Sequence, residues 1–375
     1  MSRAMSESPR YTWAFAARVL IKAAVLFALI NVAFALFNPV PALGRLSIYN
    51  TLVAGRERLP YGTDAAAYTL SPDSLDTLFG SHVVSAPFPP DERRVFVFGD
   101  SSTWGILLTP EQTLVGQLNA AASVTNATRS IQTRYYNLGY PIMSLTKDAL
   151  LIDHALQYRP DAIIWIVTLE SFARPIQLDP PLIQRNVAAA RSLIERYGLD
   201  ADAESLALPT FWDRTLIGQR RAIADWWRLQ AFGWMWNTTG IDHVIGDYTR
   251  VSNDLNPETD WRGTQPADGL TADDIALDRI RAVIETVDVP VTIINAPIFR
   301  GTGTYSDIRY NYWYPRWAYD AYRAILADAA AEAGWRYIDL WDALPTTGFS
   351  DSPVHRTPDA ETTLFAQIAP LLSDD

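Results

Sequence analysis

Six apolar residues in succession, Ala162-Ile163-Ile164-Trp165-Ile166-Val167, constrain the fold of this 375-residue chain more than any other stretch. A strand with one wet face alternates apolar and polar residues. An unbroken apolar run of strand length is dry on both faces, which happens when helices cover both sides of a largely parallel sheet. Further strand-like runs lie at 94–98, 135–138, 291–295 and 335–340, and helical patterns separate them at 111–122, 144–158, 317–333 and 358–372. This alternation predicts a three-layer α/β/α sandwich with a mostly parallel sheet. In such sheets ligands approach the carboxyl ends of the strands.

The amino end carries a different signal. Residues 19–37 read VLIKAAVLFALINVAFALF, with only Lys22 and Asn31 strongly polar. As a helix they would extend about 28 Å, close to the thickness of a hydrocarbon core. Residues 1–22 hold Arg3, Arg10, Arg18 and Lys22 against Glu7 alone, whereas the whole chain has 31 basic and 42 acidic residues. The basic lead predicts a cytoplasmic segment at 1–22, a transmembrane signal anchor at 19–37 and a main domain outside. Cleavage after Ala33-Phe34-Ala35, giving a secreted domain, is the alternative. Residues 38–89 read as a stalk and irregular packing segment. Residues 90–375 form the main domain, with a helical, Trp-rich insertion at about 172–288.

Composition narrows the chemistry. The formal charge of −11, without a long basic block, argues against nucleic acid as a partner. There is no cysteine, so thiolate nucleophiles and disulfides are excluded. Histidine-based chemistry has four candidates, His82, His154, His243 and His355. None has metal-ligand spacing, and neither a metal nor a cofactor is expected. At the end of the first strand Phe98-Gly99-Asp100-Ser101-Ser102-Thr103 suits a tight turn that projects Ser101 towards a cleft, with Asp100 bracing the turn through backbone donors. A serine is a weak nucleophile until a base takes its proton, and His355, late in the chain before the last helix, is the candidate base.

These segments resemble the SGNH, or GDSL-type, hydrolases. FVFGDSSTWG is similar to that family's first block, NLGYP to its second, and VHRTPDAETTLFAQI to its final histidine block. The likeness covers about 90–171 and 289–372. It implies Ser101 as nucleophile, His355 as base, and an oxyanion hole from the backbone donors of Ser101 and Gly139. The third block departs from the pattern: Thr168-Leu169-Glu170-Ser171 replaces Gly-x-Asn-Asp, with Glu170 nearest the expected asparagine. An ionised carboxylate there would oppose an oxyanion. Thr168, Ser171 and Asn295 are alternative donors. The acid is displaced too, because Ser352 stands three residues before His355 and Asp351 four. Either Asp351 orients the imidazole or a Ser-His dyad operates.

The expected function is a membrane-anchored serine ester hydrolase or O-acyltransferase, acting outside the cytoplasm on an acylated glycan, envelope polymer or lipid substrate. The alternative is a noncatalytic SGNH-fold module that binds glycan or a membrane-protein partner. The tryptophans at 212, 226, 227, 234 and 236 read as helical core, as a lid, or as a surface against the outer leaflet.

Overall fold

A computed structural model describes residues 12–53, 55–62, 71–72, 74–126, 131–240 and 245–372; His243 lies outside them. Five strands form the sheet: β1 (Glu92–Phe98), β2 (Gln132–Asn137), β3 (Ala162–Val167), β4 (Val291–Asn295) and β5 (Arg336–Asp339). Their order is β2-β1-β3-β4-β5 and every pairing is parallel. The order reverses at β1, so the crevice beyond the carboxyl ends of β1 and β3 is the topological switch point.

The period of two explains the layers. On one face Phe96, Phe98, Ile163, Trp165, Val167 and Ile293 join a core shared with the helices Leu145–Ala155, Val187–Tyr197, Leu277–Thr286 and Arg316–Ala333. On the other, Val95, Val97, Ile164, Ile166 and Ile294 pack with Leu114, Val115 and Leu118 and with Ala360, Leu364 and Ile368. Those partners come from the helices Leu114–Asn126 and Pro358–Leu372. Ile164 and Ile166 are almost fully buried in that layer, and truncating either to alanine would cost roughly 2–5 kcal/mol. Pro358 opens the last helix, the Thr357 carbonyl accepts from Glu361 N–H at 3.0 Å, and Asp359 and Glu361 place acid in the first turn.

Within 38–89, read as a stalk and irregular packing segment, Leu59, Leu75, Leu78, Phe79, Val83 and Val84 belong to the main core. Their apolar positions are too scattered to show a period, and contacts distant in sequence bury them. The stretch 172–288 is not wholly an insertion. Phe172, Val187, Leu193, Ile194, Ile280 and Val283 lie in the same core, so the helices on either side of the Trp-rich part supply the covering layer for the β3-to-β4 crossover.

The amino-terminal helix runs Trp13–Phe37, starting six residues before the apolar run, with Thr12 Oγ1 accepting from Phe15 N–H at 3.2 Å. It is long and apolar enough to cross a membrane. Asn38, at φ 41°, ends it before Pro39. Only Asn31 and Ala35, one turn apart, are buried along it.

Candidate active site

The carboxyl end of β1 turns into a four-residue helix, Ser101–Trp104. Gly99 is required there, because a Cβ on it would meet Thr103 Oγ1 at 2.3 Å and the Ile166 carbonyl at 2.8 Å. Asp100 caps the helix, its Oδ1 accepting from Ser102 N–H at 2.7 Å. Ser101 follows, half-buried, with its Oγ 2.8 Å from His355 Nε2. On the far side of the ring, His355 Nδ1 lies 2.8 Å from Asp351 Oδ1. The carboxylate accepts from Nδ1–H, which leaves Nε2 as acceptor for the serine hydroxyl. Burial pushes the Asp351 carboxyl up, but its bond to His355, that ring's charge and further donors together hold it below the usual carboxylate range.

The spacing of acid and histidine has a local cause. Ser352 Oγ accepts from both Val354 N–H (3.3 Å) and His355 N–H (3.2 Å), so the residue three before the histidine closes the turn. Asp351 is thereby the residue beside the ring. Arg356, fully buried, donates to the Ser102 carbonyl at 3.0 Å and to Glu361 Oε1 at 2.8 Å. It holds the histidine loop against the serine turn, and sequence reading missed it.

Lys147 was missed as well. It is fully buried, and its Nζ donates to the carbonyls of Gly99 (3.1 Å) and Tyr140 (2.6 Å) while pairing with Asp148 at 2.6 Å. The ends of β1 and β2 are joined through it. A lysine next to an aspartate inside the helical pattern at 144–158 was the available signal, and it does not by itself mark burial. Burial raises the Asp148 carboxyl pKa, against the opposing pull of Lys147.

The expected oxyanion donors do not all converge. No described residue accepts from Ser101 N–H, the first amide of its helix. Gly139 N–H instead donates to Asn137 Oδ1 at 3.1 Å. Gly139 serves close packing: a Cβ there would meet Trp104 N at 2.6 Å. Asn295 is fully buried and occupied, donating to Asp339 at 2.9 Å and accepting from Tyr322 OH at 3.1 Å. It serves the sheet rather than the cleft. Thr168 and Ser171 are buried at the end of β3, and Thr168 Oγ1 donates to Tyr314 OH at 3.2 Å.

Glu170 is paired, not free. Its Oε1 accepts from Arg262 Nη2. Arg262 (φ 51°) and Gly263 (φ 88°) form the tip of a two-residue turn closed by mutual bonds of 2.9 Å between Trp261 and Thr264. A cation 92 residues away in sequence thus neutralises the acid that stands in the third block.

The other histidines lie elsewhere. His82 is wholly buried, its Nδ1 accepting from Val84 N–H at 3.0 Å, and burial pushes it down to about 3. His154 packs on Phe79 with ring centroids 4.7 Å apart. Among the described residues no group of three His, Asp or Glu side chains is arranged to hold a metal. A cavity of about 540 Å³ lies along the β2 edge by Arg58, Glu111 and Arg134; Ser101, His355 and Asp351 do not line it.

No protein-family model and no curated protein matches the chain. Solved structures do. A carbohydrate acetylesterase from Sinorhizobium meliloti is 12% identical, covering 75% of this chain and 99% of its own, at a TM-score of 0.35. An alpha/beta hydrolase enzyme from the metagenome of Lake Arreo, Spain, is 12% identical, covering 74% and 94%, at 0.37. Such similarity is too distant to carry a function, which is argued below from the chain's own geometry.

Proposed function

We propose that the protein is a serine ester hydrolase or O-acyltransferase, anchored in the cell membrane by residues 13–37 with its main domain outside the cytoplasm. One observation carries this reading: Ser101, His355 and Asp351 form an unbroken chain of 2.8 Å contacts at the switch point of a parallel sheet. His355 Nε2 takes the serine proton as Ser101 Oγ bonds to the ester carbonyl carbon. As the tetrahedral intermediate collapses, the carbon–oxygen bond to the leaving alcohol breaks and His355 returns the proton to that oxygen. Water, or an acceptor hydroxyl, then attacks the acyl carbon as His355 takes its proton; the bond from that carbon to Ser101 Oγ breaks, and His355 returns the proton to Oγ. Ser101 N–H is the free donor for the oxyanion. The anchor favours acylated envelope glycans, polymers or lipids over diffusing cytoplasmic esters.

The test is turnover of short-chain p-nitrophenyl esters by the full chain in detergent, with a fluorophosphonate to trap Ser101. Ester release abolished by Ser101→Ala, with the adduct mapped to Ser101, is the expected result. A folded protein with neither turnover nor adduct would favour the second reading, a noncatalytic module that binds glycan or a membrane partner. The occupied Gly139 amide, and the lack of an asparagine where Thr168-Leu169-Glu170-Ser171 stands, are what support that second reading.

A further inference from the structure

Six large apolar side chains outside the amino-terminal helix cluster in one part of the sequence and are substantially exposed: Phe211, Trp212, Ile217, Trp227, Phe232 and Trp234. Trp212 is 75% exposed and Trp227 62%, unusual values for the most costly side chain to leave in water. Trp227 and Trp234 are seven residues apart on the helix Arg220–Thr239 and so share a face. The opposite face is occupied: Asp225, Leu229, Gly233 and Trp236 are buried. Trp226 Nε1 donates to the Leu46 carbonyl at 3.1 Å, and Gln230 Oε1 accepts from Ile48 N–H at 2.8 Å. Trp227 and Trp234 are therefore held on a face directed away from the domain, whereas Phe232 packs on Trp236.

Their level relative to the membrane can be worked out. With Arg18 at the cytoplasmic headgroups, the uninterrupted helix from Val19 to Phe37 extends about 28 Å and brings Phe37 to the outer edge of the hydrocarbon. Moving the helix outward would draw Arg18 into lipid and Lys22, already one turn inside, beyond the reach of the headgroups. Ile217 N–H donates to Asn31 Oδ1 at 3.2 Å. Asn31 lies six residues before Phe37, about 9 Å down the axis. Its Nδ2 is satisfied by the Phe27 carbonyl at 2.9 Å, so the contact with Ile217 completes the amide at a depth where water is scarce. Ile217 is thereby tethered below the outer boundary of the bilayer, and the turn before it, with Phe211 and Trp212, follows at that boundary.

From this we infer that the segment 211–217 and the Trp227/Trp234 face of the helix Arg220–Thr239 form a second, monotopic membrane contact embedded in the outer leaflet. The occupant is the lipid surface itself. Tryptophan suits the headgroup boundary, and the exposed Arg214 and Arg220 accompany the aromatics to meet lipid phosphates, while Arg221 and Arg228 pair with Asp225 at 3.6 Å. This contact would fix the domain's orientation on the membrane, which a single helix followed by a flexible tether would not do. It rests on the reading of 13–37 as a retained anchor.

The absence of cysteine makes the test direct. Trp212→Cys, Trp227→Cys, Trp234→Cys, Val25→Cys and Thr363→Cys, each in the full chain, are labelled with a fluorophore and reconstituted in phosphatidylcholine vesicles with and without phosphatidylglycerol. Quenching by nitroxide placed shallow or deep on the lipid chains is then read. The expected result is shallow quenching at 212, 227 and 234, deep quenching at 25 and none at 363 on the last helix. Deep quenching at 25 with no quenching at the three aromatic positions would overturn the lipid contact and leave that face to a protein partner. No quenching at 25 would instead overturn the anchor. The three aromatic positions are largely exposed, so their replacement opens no core cavity, and any one of the three that folds keeps the test decisive.

Discussion

Replacing Asp351 with asparagine separates a triad from a dyad. Asp351 Oδ1 and His355 Nδ1 are 2.8 Å apart, which puts the two charge centres about 4 Å apart once the ring takes the serine proton. The aspartate side chain is 35% exposed and the histidine side chain 13%, so water screens the pair in part. For an effective dielectric between about 20 and 40, the attraction is about 4 to 2 kcal/mol. Losing it slows kcat/KM about 1,000- to 30-fold. Asparagine adds a second penalty, because its amide can donate to Nδ1 and leave the ring proton on Nε2, facing Ser101. Asp351→Ala should fall inside that range and Asp351→Asn at or beyond its upper end. The assay is p-nitrophenyl acetate turnover alongside the rate of fluorophosphonate labelling, with the melting temperature as a check on folding. A folded Asp351→Asn protein that reacts as fast as the parent would refute the orienting role and leave a Ser-His dyad.

Arg356→Leu strands the buried Glu361 carboxylate and should cost about 3–5 kcal/mol, whereas Arg356→Leu with Glu361→Leu should regain most of the melting temperature but not the turnover; equal destabilisation of both would refute this. Glu170→Gln should leave esterase activity equal or higher, and Arg262→Gln should lower it by exposing the developing oxyanion to an unpaired carboxylate. The reverse order in kcat would show that Glu170 serves a different purpose. His82 titrates near 3 in the folded chain and near its ordinary value of about 6.5 when unfolded, so between those values the unfolded state binds the extra proton. Stability should therefore fall with decreasing pH across that window by about 1.4 kcal/mol per unit, and His82→Gln should remove that share of the slope in urea titrations read at several pH values.

How much of this was legible in the sequence follows from the range of each interaction. The central strands could be read because β1, β3 and β4 are short, largely apolar towards their carboxyl ends and bounded by turn residues, and β3 announced the three layers by lacking any polar alternation. Ser101 and His355 are 254 residues apart and no local rule joins them; their places at a strand end and before the last helix suggest the pair, and the family resemblance strengthens it. The partner of Glu170 was hidden because Arg262 lies in a polar, turn-rich stretch without periodicity. Gly139 enters as an oxyanion donor through the family resemblance, and Asn295 as an alternative donor at a strand end. Their hydrogen bonds to Asn137 and Asp339 depend on how strand ends face one another, which no pattern of residue types encodes. Arg58, in a segment read as stalk, gave no sign that it was buried.

That arginine shows why the reactive turn holds its shape. A four-residue helix has too few internal bonds to be stable alone and leaves its carbonyls without partners. Here three buried cations supply the donors. Arg58 Nη1 reaches the carbonyls of Gly105 at 2.8 Å and Leu108 at 3.0 Å, and its guanidinium sits 4.1 Å from the Trp104 ring centroid. Lys147 holds the Gly99 carbonyl before the turn, and Arg356 the Ser102 carbonyl within it. Each comes from a different part of the chain: the segment before β1, the helix after β2, and the loop before the last helix. Positive charge near the carboxyl end of a helix is favourable, and burial strengthens it by excluding water. Ser101 is thus positioned by long-range ionic contacts more than by its local sequence. Residues 55–62 consequently belong to the same packed unit as the Ser101 turn, and a domain boundary drawn at residue 90 would cut away one of the three cations that brace it.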